Sequence, residues 1–418
     1  VKILILGSGA REHAIAWMFS KSKRLAGLFT APGNAGTYEL GTNIQIDPMD
    51  FDAIMRVCKE NHINYVFVGP EDPLAAGVVD IIKEEKIAVI GPHKEAAQLE
   101  ASKTFSKEFM LRHGVPTAHA KTFSDKTEFA AYINAAKGRL VIKKSGLAAG
   151  KGVFESDDKA QLLEFGNNIL KNDSLLVEEF LDGYEVSIFA LCDGKYFVIL
   201  PPCSDFKKAL DCDKGPNTGG MGSICPVPWV DQNLKERIKT EIIEPTFVGL
   251  RNEHLIYKGV LYFGLMITKH GPKILEYNVR FGDPETQVLL PMIKTDFGDI
   301  TEAIINSTLD TIPIAESPLS AVGVVVASKG YPGPYRKGIL VKPIQDAPEK
   351  DALIFHAGTT IDENEQVYTG GGRCFTVVGL GKDTIEAASM AYSYINSIQF
   401  EGAWYRKDIG KKFFIDGE

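Results

Sequence analysis

The strongest constraint on the fold is a rhythm in the first hundred residues. Four short apolar, β-branched runs (VKILILG, LAGLFTAP, YVFVGP and IAVIGP) alternate with helical stretches from about Glu12, near Phe51–Asn61 and near Ala75–Glu85. Strands separated by helices predict βαβ units and an open parallel sheet. A turn signal follows each run: Gly7-Ser8-Gly9, Pro32-Gly33-Asn34, Gly69-Pro70 and Gly91-Pro92. In a parallel sheet the carboxyl ends of the strands form the crevice where ligands sit, so a ligand edge is expected at these turns.

The rhythm stops near Ser102. A helix over Lys103–His113 follows, then strand-like runs around glycine loops, a long helix at about Gln232–Glu253, and the strands GVLYFGLMIT and PKILEYNVRF. The expected fold class is multidomain α/β and α+β. It comprises an amino-terminal parallel domain over 1–102, a central module over 103–315 with a mobile lid subdomain at about 122–190, and a small carboxy-terminal α+β domain over 316–418. At 418 residues each part is large enough to bury its own core.

The net charge is −8. An acidic balance argues against a nucleic-acid-coating role and requires any anionic substrate to meet a local positive site. No apolar run approaches the roughly 20 residues that span a bilayer, and the amino terminus lacks signal-peptide regions, so a cytoplasmic protein with no membrane partner is expected. The cysteines (Cys58, Cys192, Cys203, Cys212, Cys225 and Cys374) show no C-x-x-C pair and no zinc-like spacing, and are read as reduced thiols.

Five segments carry chemistry. The turn at Gly7, Gly9 and Arg11 has two glycines of a dinucleotide fingerprint, but the third position is Glu12 and the second strand ends in TAPG with no carboxylate for a ribose. A nicotinamide cofactor is therefore disfavoured, while a phosphate near Gly9 and Arg11 is not. GLAAGKG over 146–152 lacks the Ser/Thr and the spacing of a Walker loop, but a glycine hairpin around Lys151, with Lys143 on the strand before it, suits a lid over a triphosphate. VEEFLDGYE over 177–185 joins two strands, and its backbone at Glu178–Leu181 with the Glu185 carboxylate suits adenosine. DCDKGPNTGGMG over 211–222 is too polar for core and suits a polar substrate.

The fifth, KILEYNVRFGDPET over 273–286, is the most informative. Side chains alternate along a strand, so Glu276, Asn278 and Arg280 share one face and Leu275, Tyr277, Val279 and Phe281 the other. A carboxylate and an amide oxygen two residues apart suit Mg²⁺, and Arg280 beside them suits a transferring phosphoryl group.

Together GSGAREHA, PGNAGT, VGPEDPLAAG, LEASKTFSKEFM, VIKKSGLAAGKGV, VEEFLDGYEVS, GPNTGGMG, LEYNVRFGDPETQ, FHAGT and EGAWYRKDIG resemble the ATP-grasp superfamily, and within it the glycinamide ribonucleotide synthetase family, over nearly the whole chain. The resemblance implies that ATP phosphorylates glycine and that 5-phosphoribosylamine attacks the glycyl phosphate, giving glycinamide ribonucleotide, ADP and phosphate. It implies ATP bound by Lys103, Lys143, Gly146, Gly150, Lys151, Gly152, Glu178, Glu179, Leu181 and Glu185. It places Mg²⁺ or Mn²⁺ on Glu276 and Asn278, and catalytic roles on Arg280 and Lys151. Gly9, Arg11, Glu71, Asp72, Asp213, Asn217 and Asp283 would contact the substrates, and a monomer is expected. One departure stands out: many superfamily members place a further metal carboxylate twelve residues before Glu276, where this chain has Gly264. Fewer protein ligands to the metal are expected.

Overall fold

The computed structural model describes residues 1–147, 152–344, 348 and 351–414. The amino-terminal sheet contains β1 (Lys2–Gly7), β2 (Gly27–Pro32), β3 (Thr42–Asn43), β4 (Tyr65–Val68) and β5 (Ala88–Ile90). Its order is β3-β2-β1-β4-β5, and every pair is parallel, as the rhythm predicts. The order reverses between β1 and β4, which brings the turn at Gly7–Gly9 beside the turn at Gly69–Glu71. The helix expected near Ala75–Glu85 is two, Glu71–Ala76 and Val78–Glu84, because Gly77 adopts φ +96° between them.

The next sheet contains β6 (Ala120–Phe123), β7 (Leu140–Lys144), β8 (Val153–Ser156) and β9 (Leu175–Glu179), antiparallel in the order β6-β9-β7-β8. It has its own core, in which Leu140, Ile142, Leu175 and Val177 meet Phe129 and Leu162 from two covering helices. Strand alternation then turns Lys143 and Glu178 to the opposite face. The polar face of this sheet is one wall of the site.

The chain continues through β10 (Tyr184–Cys192), β11 (Phe197–Ile199), β12 (Ser204–Asp205), the hairpin β13 (Lys208–Leu210) and β14 (Lys214–Asn217), β15 (Gly222–Cys225), β16 (Gly259–Thr268) and β17 (Gly271–Asn278). A second antiparallel sheet has the order β11-β10-β16-β17. All of β10 pairs with β16, from Tyr184↔Ile267 to Cys192↔Gly259. The sheet carrying β9 therefore ends at Glu179, not at the expected bound of about 190.

Strand β17 contains a bulge. Gly264 faces Glu276 and Leu265 faces Ile274, so Leu275 has no partner on β16. Tyr277, Val279 and Phe281 are buried as alternation predicts. Leu275 is not on that core face: the extra residue turns it toward the site.

The last sheet adds β18 (Ser320–Ala327), β19 (Ala352–His356) and β22 (Arg373–Gly381), beside a hairpin of β20 (Thr359–Ile361) and β21 (Val367–Thr369). Its order, β12-β15-β18-β22-β19, includes two strands from before residue 226. The carboxy-terminal region thus shares a sheet with the segment flanking the glycine-rich loop. Among the described residues, no helix is long and apolar enough to cross a membrane.

Candidate active site

A cleft of about 330 Å³ lies where these parts meet. One wall carries Lys143 and Glu178; the facing wall carries Leu275, Glu276 and Asn278. The helix Lys103–Arg112, capped by Ser102, brings Lys103 and Lys107 to it. These two lysines are four residues apart and therefore on one helix face.

Glu178 anchors the first wall. Its Oε1 meets Lys107 Nζ at 2.8 Å and its Oε2 meets Lys143 Nζ at 2.8 Å, with all three side chains buried. Burial alone would raise the Glu178 carboxyl, but Lys143 and Lys107 together hold it below its ordinary value. Lys143 Nζ also donates to Leu275 O at 2.8 Å, across the cleft. The bulge in β17 makes that carbonyl available.

On the second wall, Glu276 lines the cleft with no hydrogen bond or ion pair to another described residue. Asn278 is oriented with its amide nitrogen toward Glu100 Oε1 (3.0 Å) and Tyr277 O (3.2 Å), where both partners are acceptors. Arg280 donates from Nη2 to Glu100 Oε1 (2.8 Å), from Nε to Glu71 Oε2 (3.2 Å) and from Nη1 to Phe281 O (3.1 Å). Burial opposes its charge, but Glu100 and Glu71 outweigh burial and hold the guanidinium protonated. Glu71 is raised by burial and lowered further by Arg280 and Arg11, for a net fall.

The dinucleotide-like turn is filled from within the chain. Glu12 reaches back so that its Oε2 accepts the Gly9 N–H at 2.6 Å, and its Oε1 accepts Arg11 Nε at 2.6 Å. A Cβ on Gly7, Gly9 or Gly69 would lie 2.6, 2.8 or 2.1 Å from a Glu12 side-chain atom. These glycines therefore make room for a buried carboxylate, and the Gly9 N–H expected to meet a phosphate is already bonded. Arg11 does reach the cleft, donating from Nη1 to Phe281 O at 3.2 Å.

The other expected residues divide. Lys103, Gly152, Glu71 and Asp283 line the cleft. Gly146 donates its N–H to Asp173 Oδ2 at 3.2 Å and is not among the lining residues. Gly150 and Lys151 lie outside the described residues. Asp72 is exposed and not among the lining residues. Asp213 instead pairs with Arg406 Nη1 of the carboxy-terminal region at 3.0 Å, and Asn217 is exposed on β14, paired in register with Lys208 and not among the lining residues. The Glu179 N–H is taken by His119 O at 3.0 Å, and its carboxylate by Lys273 Nζ at 3.0 Å. Leu181 is buried, and Glu185 pairs with Lys207.

Several cleft residues escape the sequence reading: Glu100, Lys107, Asp205, Lys207, Glu285 and Arg373. Burial, more than any neighbouring charge, pushes Glu100 up to about 7. Glu285 is also pushed up to about 7, first by burial and then by Asp205; Ser187 Oγ donates to its Oε1 at 3.1 Å. Burial opposes the charge of Lys207, but Asp205 and Glu185 hold it well above the ordinary lysine value. Lys107 was detectable from its spacing to Lys103, and Glu285 from its place in GDPET.

A cleft between two antiparallel sheets, with buried Lys143 on one, buried Lys107 on the helix beside it, and Glu276, Asn278 and Arg280 along the facing strand and just past its end, defines an ATP-grasp fold. Family models for phosphoribosylglycinamide synthetase match the chain along its length: the N domain at 1–100, the ATP-grasp (A) domain at 101–286 and the C domain at 321–412. The chain belongs to the phosphoribosylglycinamide synthetase family.

It is 41% identical over 416 residues to a phosphoribosylamine–glycine ligase of Caldanaerobacter subterraneus, covering 98% of this chain and 99% of that protein. It is 43% identical over 420 residues to the trifunctional purine biosynthetic protein adenosine-3 of Gallus gallus, spanning 42% of that longer relative's length. The crystal structure of phosphoribosylamine–glycine ligase from Thermotoga maritima superposes with a TM-score of 0.84 at 36% identity, covering 98% of this chain and 100% of that one. A biotin carboxylase from Campylobacter jejuni, at 12% identity and a TM-score of 0.75 over 99% of this chain and 94% of that one, shares the fold alone.

Proposed function

We propose that this chain joins glycine to 5-phosphoribosylamine at the expense of ATP, in the cytoplasm, as a step of purine biosynthesis. The observation that carries this reading is Lys143, whose ammonium bonds Glu178 on one sheet and the Leu275 carbonyl on the other, one residue from Glu276. A cation spanning the grip beside a free carboxylate suits a nucleotide triphosphate.

An amine cannot usefully displace oxide from a free carboxylate. In the proposed reaction a glycine carboxylate oxygen bonds to the γ-phosphorus of ATP and the bond to the β-phosphate oxygen breaks, releasing ADP. The amine nitrogen of phosphoribosylamine then bonds to the carbonyl carbon of glycyl phosphate, the carbon–oxygen bond to phosphate breaks, and the amine loses a proton. The products are glycinamide ribonucleotide, ADP and phosphate. Arg280, fixed by Glu71 and Glu100, supplies a preorganised positive charge for the acyl phosphate. Lys103 and Lys143 hold ATP phosphates, with Gly146, Gly150, Lys151 and Gly152 read as the lid that keeps water from the intermediate. The peptides at Glu178, Phe180 and Leu181 and the Glu185 carboxylate are assigned to adenosine. Arg11, Glu71 and Asp283 are assigned to the phosphoribosyl end.

The Glu276 carboxylate, uncommitted to any described partner, and the Asn278 amide oxygen suit a hard divalent cation, Mg²⁺ or Mn²⁺. Gly264 directly faces Glu276 and offers no second carboxylate, so nucleotide phosphates and water would complete the set. Such an ion neutralises phosphate charge during transfer. Functionally, 1–102, 103–315 and 316–418 are read as phosphoribosyl, nucleotide and closing units. The test is ATP turnover by the purified chain. Turnover should require both glycine and phosphoribosylamine, with one ADP formed per amide. Glycine-independent turnover with bicarbonate would overturn the reading.

A further inference from the structure

The glycine-rich loop GPNTGG reads from sequence as backbone that contacts a substrate, but the peptide at its centre is already spent. Gly219 donates its N–H to Tyr331 Oη at 3.0 Å, and its carbonyl accepts Arg373 Nη1 at 2.8 Å. Both partners come from the carboxy-terminal region, 112 and 154 residues away in sequence. Beside the loop's own Thr218 and Gly219, the cleft is lined here by Arg373, which the loop holds.

The bonds of Arg373 are unevenly shared. Its Nη1 donates to Gly219 O (2.8 Å), to Asp283 O (2.9 Å) and, at 3.4 Å, to Gly220 O, and lies 3.3 Å from Asp283 Oδ1. Among the described residues, Nε and Nη2 bond to nothing. These two nitrogens form one edge of the planar guanidinium, with parallel N–H groups that match two oxygens of a carboxylate or phosphate. The side chain is 21% exposed, so this edge is not sealed in core.

Gly219 keeps the edge open. A Cβ built on it would lie 3.1 Å from Arg373 Cζ, 3.2 Å from Nη2 and 3.4 Å from Nε, over the part of the guanidinium that carries no bond. At Gly220 a Cβ would strike Pro284 at 2.4 Å. The paired glycines thus let the loop close on Arg373 and on the Asp283–Pro284 turn without covering the free fork. Asp283 shares its Oδ1 with Gln287 Nε2 at 2.9 Å, which fixes the side chain Arg373 leans on.

We propose that Arg373 is a substrate-binding residue of the ligase site, its Nε and Nη2 gripping the oxyanion of a substrate: the carboxylate of glycine or the phosphate of phosphoribosylamine. This rests on the proposed ligase reaction. It makes the carboxy-terminal region part of substrate recognition, because the fork that reads the anion is carried by β22 and aimed by a loop from before residue 226.

Steady-state kinetics with Arg373→Lys, Arg373→Met and Gly219→Ala tests it, with glycine, phosphoribosylamine and ATP each varied separately and thermal unfolding followed in parallel. A lysine can still meet the Gly219 and Asp283 carbonyls but has no fork; Gly219→Ala keeps the arginine and presses a Cβ against its free edge. KM for one anionic substrate should rise roughly tenfold or more in all three variants, with KM for ATP changed less than about twofold and Arg373→Lys unfolding close to the wild-type temperature. A selective rise for glycine identifies the carboxylate, and one for phosphoribosylamine the phosphate. The proposal is overturned if all three KM values move together, or if only the unfolding temperature falls. If the wild-type chain shows no turnover dependent on glycine and phosphoribosylamine, the ligase reading itself fails.

Discussion

Glu178 holds Lys107 on one carboxylate oxygen and Lys143 on the other, each at 2.8 Å, and so joins a helix to the sheet that forms one wall of the cleft. Removing the charge would leave two buried ammonium groups without their counter-ion. Glu178→Gln should cost about 3 kcal/mol or more of stability at pH 7 and raise KM for ATP, because Lys143 loses its anchor. The pairing holds the folded carboxyl below its unfolded value, so its contribution is fully present above the ordinary glutamate range and disappears as pH falls through the lowered folded value. Denaturant unfolding at pH 7 and below about pH 4 checks both parts. The gap between wild type and variant should narrow on acidification, and a constant gap would contradict the pairing.

Glu276 stands in a different condition: it lines the cleft with no bond to another described residue. Its loss should therefore hurt turnover without hurting the fold. Glu276→Gln is expected to lower kcat by roughly 100-fold or more at saturating Mg²⁺ while leaving the unfolding temperature within about 2 °C. Near-normal turnover would refute the metal assignment.

Glu12 makes a prediction about glycine. Gly69→Ala would put a Cβ 2.1 Å from Glu12 Oε1 and 2.7 Å from Leu6 O, an overpacking that should cost about 1–3 kcal/mol. Adding Glu12→Ala removes the first clash and leaves the second, so the double variant should be more stable than the sum of the two single losses allows. Strict additivity in a double-mutant cycle would show that Glu12 does not fill the turn.

What the sequence revealed, and what it hid, follows from the range of each interaction. The parallel sheet was legible because each of its longer strands is a short buried run closed by its own turn residues. The shared face of Glu276, Asn278 and Arg280 was legible because alternation is local. The position of Leu275 was not, since the bulge is set by how Gly264 and Leu265 on another strand pair with it. A glycine turn that holds a phosphate and one that holds the Glu12 carboxylate need the same glycines, so Gly9 misled. Asp213 and Asn217 sit in a polar segment, but polarity did not reveal the β13–β14 hairpin or which partner it meets; Asp213 meets Arg406, 193 residues on. Glu100 and Arg373 owe their place to contacts 180 and 154 residues away, which no local pattern encodes.

His13 and His356 join the amino-terminal helix to the carboxy-terminal sheet, and they give the fold a pH signature. The His356 N–H donates to His13 Nδ1 at 2.9 Å, and the rings are 5.7 Å apart. Burial lowers His13 well below the ordinary histidine value, with His356 adding to the effect, and burial pushes His356 down to about 4. Both are neutral when folded and take up protons near pH 6.5 when unfolded. Their contribution is thus intact above about pH 6.5 and is lost as pH falls toward the folded values. His356 alone should remove about 2 kcal/mol between pH 7.5 and pH 5. Glu100 and Glu285, both raised to about 7, act in the opposite sense: they gain protons in the folded state over the same range and strengthen it. The wild-type profile is therefore a partial cancellation, and the histidine contribution is seen only by difference. His356→Asn should be less stable than wild type at pH 7.5, and the deficit should shrink by about 2 kcal/mol at pH 5. Denaturant unfolding of both proteins at the two pH values measures it, and a deficit independent of pH would mean that His356 is not held neutral.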